Sequence, residues 1–328
     1  MASPRLLVAL KPGDELERAL VETLPLVDWV YSTTLPDSAV GSVEAMLLGS
    51  VERDFPRVPV RNFSQLVFVQ RVYTGMDGVP FEEFPPGVRF AGNVGAYAPF
   101  VAEHAVAIAL AAARELPRAH GMVRAGELRP PPVQRLLWKR TALILGFGEI
   151  GRAIATRLTG FDTRIFGLNR SGAPAEGCER MFPADRLREA VQEADFVFDA
   201  RPLTLSTRGT IDRSILGAMR STAVFVNVGR AGTVAEEDLF RHLQAHPEFR
   251  AALDVWWHED YAHGRLRSPF PFAELPNFVG TPHSAGFGPG VERYVLERAL
   301  ANLKRFFDGE KPLHLVDPSE YVRAAPER

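Results

Sequence analysis

Gly146, Gly148 and Gly151, within Gly146-Phe147-Gly148-Glu149-Ile150-Gly151, stand at the spacing of a backbone turn that can cradle a phosphate. The apolar run Ala142 to Leu145 precedes them, and Arg152 to Leu158 follows as a helical pattern. In that setting the first glycine permits a tight turn and the second lets a pyrophosphate approach the backbone. The third permits close helix packing, and the helix N-terminus favours the anion. A second strand-like run, Arg164 to Gly167, leads to Asn169-Arg170-Ser171, where a ribose-reading residue belongs. The turn and this tip together predict a dinucleotide site. An NAD site usually offers a carboxylate to the ribose 2′-hydroxyl, which would repel a 2′-phosphate. Here there is no acid: Arg170 can pair with a phosphate and Ser171 can donate to it, so NADP is favoured over NAD. Alternatively, Arg170 is a solvated charge or stacks on adenine without discriminating.

Three further polar residues follow later strand-like runs: Arg230 after Phe225 to Val228, Glu259 after Ala251 to Val255, and His283 within Thr281-Pro-His-Ser-Ala-Gly286. All lie near strand carboxyl ends, on the side that a nicotinamide should reach. Taken singly, an arginine after a strand is most often a surface ion pair, and a lone histidine a structural hydrogen bonder.

The elements that must position these groups form two series. Short apolar runs at Leu6 to Leu10, Val27 to Tyr31, Ala45 to Leu48 and Leu66 to Val69, bounded by Pro, Gly and Asp, read as buried parallel strands. A helix rich in Ala and Leu is expected over Val101 to Arg114, with Pro99 near its entry. Pro117 to Lys139, which contains Pro130 to Pro132, reads as an irregular arm. The second series places strands at Ala142 to Leu145, Arg164 to Gly167, Phe196 to Asp199, Ala223 to Val228, Ala251 to Val255 and Phe278 to Gly280. A last helix is expected near Gly290 to Phe307, stopped by Asp308-Gly309 and returning to the first domain. Alternating strands and helices predict an α/β protein of doubly wound parallel sheets.

The 328 residues are enough for two domains, and 46% hydrophobic content can fill their cores. A formal charge of −2 leaves no basic field to hold nucleic acid or an anionic membrane. The single cysteine, Cys178, can form neither an intramolecular disulfide nor a multi-cysteine metal site, so no metal is expected. Leu6 to Leu10 is too short for a secretory core and no apolar stretch reaches 18 residues, from which a cytoplasmic location is expected.

The ordered set of motifs resembles the D-isomer-specific 2-hydroxyacid dehydrogenase family over most of the chain. It comprises VAEH (Val101 to His104), GFGEIG, Pro202 to Thr207, VNVGRAG around Arg230, ALDVWWHE ending in Glu259, and TPHSAG around His283. The resemblance implies a Rossmann cofactor domain, residues 99–285, inserted into a discontinuous flavodoxin-like substrate domain, residues 1–98 and 286–328. It implies a homodimer built on the cofactor domain and the Pro117 to Lys139 arm, with catalysis between the domains. It implies hydride transfer between NAD(P)H and a small 2-oxo acid such as glyoxylate or hydroxypyruvate. Arg230 would hold the substrate, His283 would act as general acid/base, and Glu259 would fix the imidazole tautomer and favour its charged form. Backbone N–H groups of Thr74 and Gly75 would receive the carboxylate, although Gln70 to Asp77 taken alone reads as an ordinary turn. Asp254 would accept from the nicotinamide carboxamide with help from the Val228 carbonyl, or else cap a turn. Pro202, Thr207, Gly229 and Ala285 would flank the cofactor. Ala231 and Ala235 depart from the family pattern, as does Arg201, which either adds positive charge beside the site or points to solvent. Trp256, Trp257, Tyr73 and Tyr97 could line an aromatic pocket, although most large aromatics in such positions are core, and the Tyr261 to Pro276 loop could shape it. Rival readings on the same scaffold are a formate- or phosphite-type dehydrogenase and a dinucleotide-sensing corepressor. Glu259 argues against the formate branch, where Gln usually sits beside the His.

Overall fold

The computed structural model describes residues 5–128, 134–260 and 263–321. The chain divides into two compact units, Met1–Tyr97 with Gly288–Arg328, and Ala98–Phe287.

The first unit opens with β1 (Arg5–Ala9), α1 (Asp14–Thr23), β2 (Asp28–Tyr31), β3 (Val43–Leu48), α2 (Val51–Asp54), β4 (Phe68–Arg71) and β5 (Arg89–Ala91). The strands pair in parallel in the order β2-β1-β3-β4-β5, the flavodoxin-like winding. Strand β4 lies two residues later than the apolar run that announced it. Val67 is exposed ahead of the strand, while Gln70 and Arg71 are buried within it. Polar residues can extend a central strand because their bonds are satisfied: Gln70 Nε2 donates to the Arg71 carbonyl, and its Oε1 accepts from Asn302 at 2.6 Å. Strand β5, three residues led by exposed Arg89, carries too little apolar pattern to have been expected.

The second unit begins with α3 (Ala98–Ala113), three residues ahead of the expected start. Pro99 sits in its first turn, where no intrahelical N–H is lost. A left-handed Glu115 (φ 51°) then breaks the chain into α4 (Leu116–Arg124). The expected irregular arm is therefore helical at its start, because Pro117 occupies the helical position that tolerates proline. Pro130 to Pro132 lie outside the described residues, as does Tyr261 in the later loop.

Next come β6 (Thr141–Leu145), α5 (Glu149–Leu158), β7 (Arg164–Asn169), β8 (Arg180–Pro183), α6 (Leu187–Gln192), β9 (Phe196–Asp199), α7 (Arg213–Leu216) and β10 (Val224–Asn227). They are followed by α8 (Glu236–Ala245), β11 (Arg250–Leu253), the antiparallel pair β12 (Glu259–Asp260) and β13 (Arg265–Leu266), and β14 (Phe278–Gly280). Seven parallel strands take the order β14-β11-β10-β9-β6-β7-β8, a doubly wound Rossmann sheet. Edge strand β8 was not expected, since Arg180 and Pro183 interrupt its apolar pattern. The order reverses between β6 and β9, so a ligand crevice is expected at their carboxyl ends. The core on one face is aromatic, with Phe182, Phe225, Phe249 and Phe272 buried among Leu and Val.

The chain ends on α9 (Val291–Phe307), which belongs to the first unit. Val291, Val295, Ala299 and Leu303 are buried at helical spacing, and Tyr294 is exposed. Asn302 bonds to Gln70, and Asn93 Nδ2 donates to the Val295 and Val72 carbonyls, so polar contacts fasten the returning helix to this sheet.

Candidate active site

The glycine turn has the local geometry its sequence requires. Gly146 is left-handed (φ 86°), and a Cβ there would meet Arg201 Cγ at 2.9 Å. A Cβ on Gly151 would collide with the Gly146 carbonyl. Gly148, at the N-cap of α5, has open space around its missing side chain, as close approach of a pyrophosphate demands. Phe147 is buried and packs against Gly167, leaving the backbone as what this residue offers a ligand. These residues fit a dinucleotide.

His283 and Glu259 are in direct contact. The imidazole Nδ1 lies 2.9 Å from both Glu259 oxygens, and Glu259 Oε1 also accepts from the Trp256 N–H at 2.9 Å. Glu259 stands on the β12–β13 pair, where Asp260 accepts from His263 and Arg267 at 2.9 Å each. His283 is left-handed (φ 51°), an uncommon state for a residue with a side chain. A proton on Nδ1 facing this carboxylate fixes the tautomer of the ring.

A model of the NAD-binding domain of D-isomer-specific 2-hydroxyacid dehydrogenases matches residues 106–285. A glyoxylate reductase from Thermococcus onnurineus is 33% identical over 262 residues, 77% of this chain and 77% of that protein. This chain belongs to the D-isomer-specific 2-hydroxyacid dehydrogenase family. It is similar to a solved structure described as a putative formate dehydrogenase from Pyrobaculum aerophilum, with TM-score 0.79, 31% identity, and coverage of 97% of this chain and 100% of that one. It is also similar to an NADPH-dependent glyoxylate/hydroxypyruvate reductase from Sinorhizobium meliloti, with TM-score 0.77, 25% identity, and coverage of 98% and 100%. Family membership carries an oxidoreductase role on 2-hydroxy or 2-oxo acids with NAD(P).

In this dehydrogenase Asp254 is tied to the loop that carries His283. Its Oδ1 accepts from Thr281 Oγ1 at 2.6 Å and the Ser284 N–H at 2.8 Å, and its Oδ2 from the Ala285 N–H at 3.0 Å. His104 Nε2, on α3, lies 2.9 Å from Thr281 Oγ1 and 3.3 Å from Asp254 Oδ1. Burial pushes the Asp254 carboxyl up, but the bonds from His104, Thr281 and the two N–H groups outweigh it and hold the group at about 2. His104 was visible only as the last letter of VAEH, and Thr281 had no assigned role.

At the tip of β7, Asn169 serves the turn itself. Its Oδ1 accepts from the N–H groups of Ser171 and Gly172 at 3.1 and 2.7 Å, and its Nδ2 donates to the Ala173 carbonyl at 2.9 Å. Arg170 and Ser171 are exposed beside it. Arg230 follows β10 half-buried, with Nη1 donating to the Gly229 carbonyl at 2.9 Å. Thr207 Oγ1 closes its loop on the Pro202 carbonyl at 2.6 Å. Arg201 neither points to solvent nor lends free charge to the site; it is buried and pairs with Asp199, with Nη2 to Oδ2 at 2.6 Å. Trp256 and Trp257 pack on Phe272 against the core, because the indoles have apolar partners there.

In the first unit, the loop after β4 is held by Asn93, whose carbonyl accepts from Thr74 Oγ1 at 3.0 Å. A Cβ on Gly92 would meet the Thr74 carbonyl at 2.7 Å. Tyr73 stacks on Tyr97 with centroids 6.4 Å apart, and burial foremost, then Tyr73 and Glu292, push the Tyr97 phenol upward. Among the described residues no helix is long and apolar enough to cross a membrane.

Proposed function

We propose that this dehydrogenase reduces a small 2-oxo acid of the glyoxylate or hydroxypyruvate class to the D-2-hydroxy acid, with NADPH preferred over NADH. The observation that carries the reading is the His283–Glu259 contact, 2.9 Å to both carboxylate oxygens. The names of the Thermococcus and Sinorhizobium proteins support the substrate class. The bound cofactor supplies the hydride. His283 Nε2 delivers a proton to the substrate carbonyl oxygen and takes it back in the oxidative direction, while Glu259 holds the ring in place. Arg230 grips the substrate through its permanently charged fork. The Thr74 and Gly75 N–H groups are our candidates for the carboxylate.

Cofactor preference rests on the tip of β7. Asn169 braces the backbone there, so Arg170 and Ser171 stand exposed with no carboxylate at the strand end to repel a 2′-phosphate. Pro202, Thr207, Val228, Gly229, Asp254 and Ala285 complete the proposed cofactor contacts. We also propose a homodimer, since α4 has no buried residue and Leu116, Val123, Leu128 and Trp138 are exposed in and after it.

The test is the loss of 340 nm absorbance with NADPH or NADH and glyoxylate, hydroxypyruvate, pyruvate or phenylpyruvate, plus NAD(P)+ with formate. NADPH-biased turnover of a 2-oxo acid is the expected result. Formate oxidation would move the assignment to the branch named for the Pyrobaculum protein. Cofactor binding without any turnover would favour a sensor.

A further inference from the structure

A buried ion pair lies where three loops of the second unit converge. Asp199 ends β9 fully buried, and Arg201, two residues later, is 7% exposed. Arg201 Nε donates to Asp199 Oδ1 at 2.9 Å, Nη2 to Oδ2 at 2.6 Å, and Nη1 to Thr210 Oγ1 at 3.0 Å. A sealed pair of this kind is a poor way to gain stability, because apolar residues of similar volume often serve as well or better. Its contacts show another use. The Arg201 stem lies under Gly146, where a Cβ would meet Cγ at 2.9 Å. The Asp199 carbonyl accepts from the N–H groups of both Val228 and Gly229 at 3.0 Å. The Thr233 hydroxyl lies 2.9 Å from Asp199 Oδ2 and 2.8 Å from the Arg230 carbonyl. Thr210 Oγ1 in turn donates to the Thr207 carbonyl at 3.0 Å, in the loop that Thr207 closes on Pro202.

We propose that Asp199 and Arg201 are positioning residues: their pair holds the glycine turn, the 202–210 loop and the 227–233 loop in register, and so sets where Arg230 presents its guanidinium. The substrate half of this inference rests on the proposed role of Arg230; the cofactor half does not. The fork suits the task, since two parallel bonds to one carboxylate fix orientation as well as distance. Both side chains are sealed from solvent, so they act through the loops they hold.

The experiment compares the wild type with Asp199→Leu/Arg201→Leu, which removes both charges and keeps the site filled, and with Thr233→Val, which removes only the hydroxyl link. Thermal midpoints, NADPH Kd by fluorescence, and KM and kcat for glyoxylate are measured on each. The double variant is expected to melt within a few degrees of wild type, yet show a KM raised about tenfold, a smaller fall in kcat, and an NADPH Kd raised several-fold. Thr233→Val should raise KM about threefold with NADPH Kd nearly unchanged. Wild-type KM and Kd in a folded double variant would reduce the pair to a structural filler. If the double variant does not fold, Thr233→Val decides: an unchanged KM overturns the proposal and a raised KM supports it. Should the wild type bind NADPH but turn over no 2-oxo acid, the functional reading fails separately. The double variant's Kd then decides alone, or Arg201→Lys takes its place if that protein is unfolded, weakened binding supporting the pair and unchanged binding overturning it.

Discussion

Two carboxylates of the second unit, Asp199 at the end of β9 and Glu259 on the β12–β13 pair, each hold a basic side chain, and they do so for different ends. At Glu259 the partner is an imidazole, and the side chains keep 31% (His283) and 19% (Glu259) of their exposure. At Asp199 the partner is a guanidinium, with 8% and 0% left. Imidazole is a proton-exchanging side chain, and one left accessible can be reached by a reacting group. A guanidinium is always charged, and when sealed it can only be structure. In the functions we propose for them, exposure, rather than the presence of an ion pair, separates the chemical pair from the scaffold pair.

Replacing His283 by Ala should cut kcat by about 10²–10⁴-fold with NADPH binding retained, measured by steady-state rates and cofactor fluorescence. Turnover near wild type would break the comparison at its chemical end. At the scaffold end, Arg201→Ala leaves a buried carboxylate unpaired and should cost about 3–5 kcal/mol in chemical denaturation. Glu259→Ala, at a wetter pair, should cost about 1 kcal/mol or less by the same method. Equal losses would erase the distinction. Arg170→Ala should weaken kcat/KM for NADPH about tenfold relative to NADH, as expected for loss of one exposed phosphate contact; equal losses for both cofactors would show that the tip of β7 does not read the 2′ position.

The smallest effect concerns pH. His242, whose ring stacks on His246 at 4.1 Å, is held down to about 4, by burial first and by His246 second. Its folded value lies below its ordinary 6.5, so the unfolded chain binds the extra proton between those values. The contribution is complete above pH 6.5 and is lost as pH falls toward 4. For a ring that is only half-buried, a loss on the order of 1 kcal/mol is expected. His242→Phe should flatten urea midpoints across that window. Asp254 runs the same way lower down, its contribution falling away from pH 3.8 toward 2.

Much of the second unit was legible because buried parallel strands are written as continuous apolar runs, and a glycine turn between strand and helix is a local instruction. Phe196–Asp199 and Phe278–Gly280 fall where their runs predicted. Strand β8 and helix α4 were not legible, since Arg180 and Pro183 interrupt the one and the other opens on Leu116-Pro117 and buries no residue. Asn169 stood at the expected position, but its side chain is committed to the turn by bonds only a few residues away, a use that competes with ribose reading.

The sequence by itself determined the two windings, the phosphate turn and the family, because each is encoded in local periodicity or in ordered motifs. Only the tertiary structure decided which donors meet. His104 and Thr281 are 177 residues apart in the chain and 2.9 Å apart in space. Arg201 read as an exposed or site-facing charge until Asp199 and Thr210 were seen to hold it. A buried charge must find its partners wherever the fold brings them, and residue type alone does not state where that is.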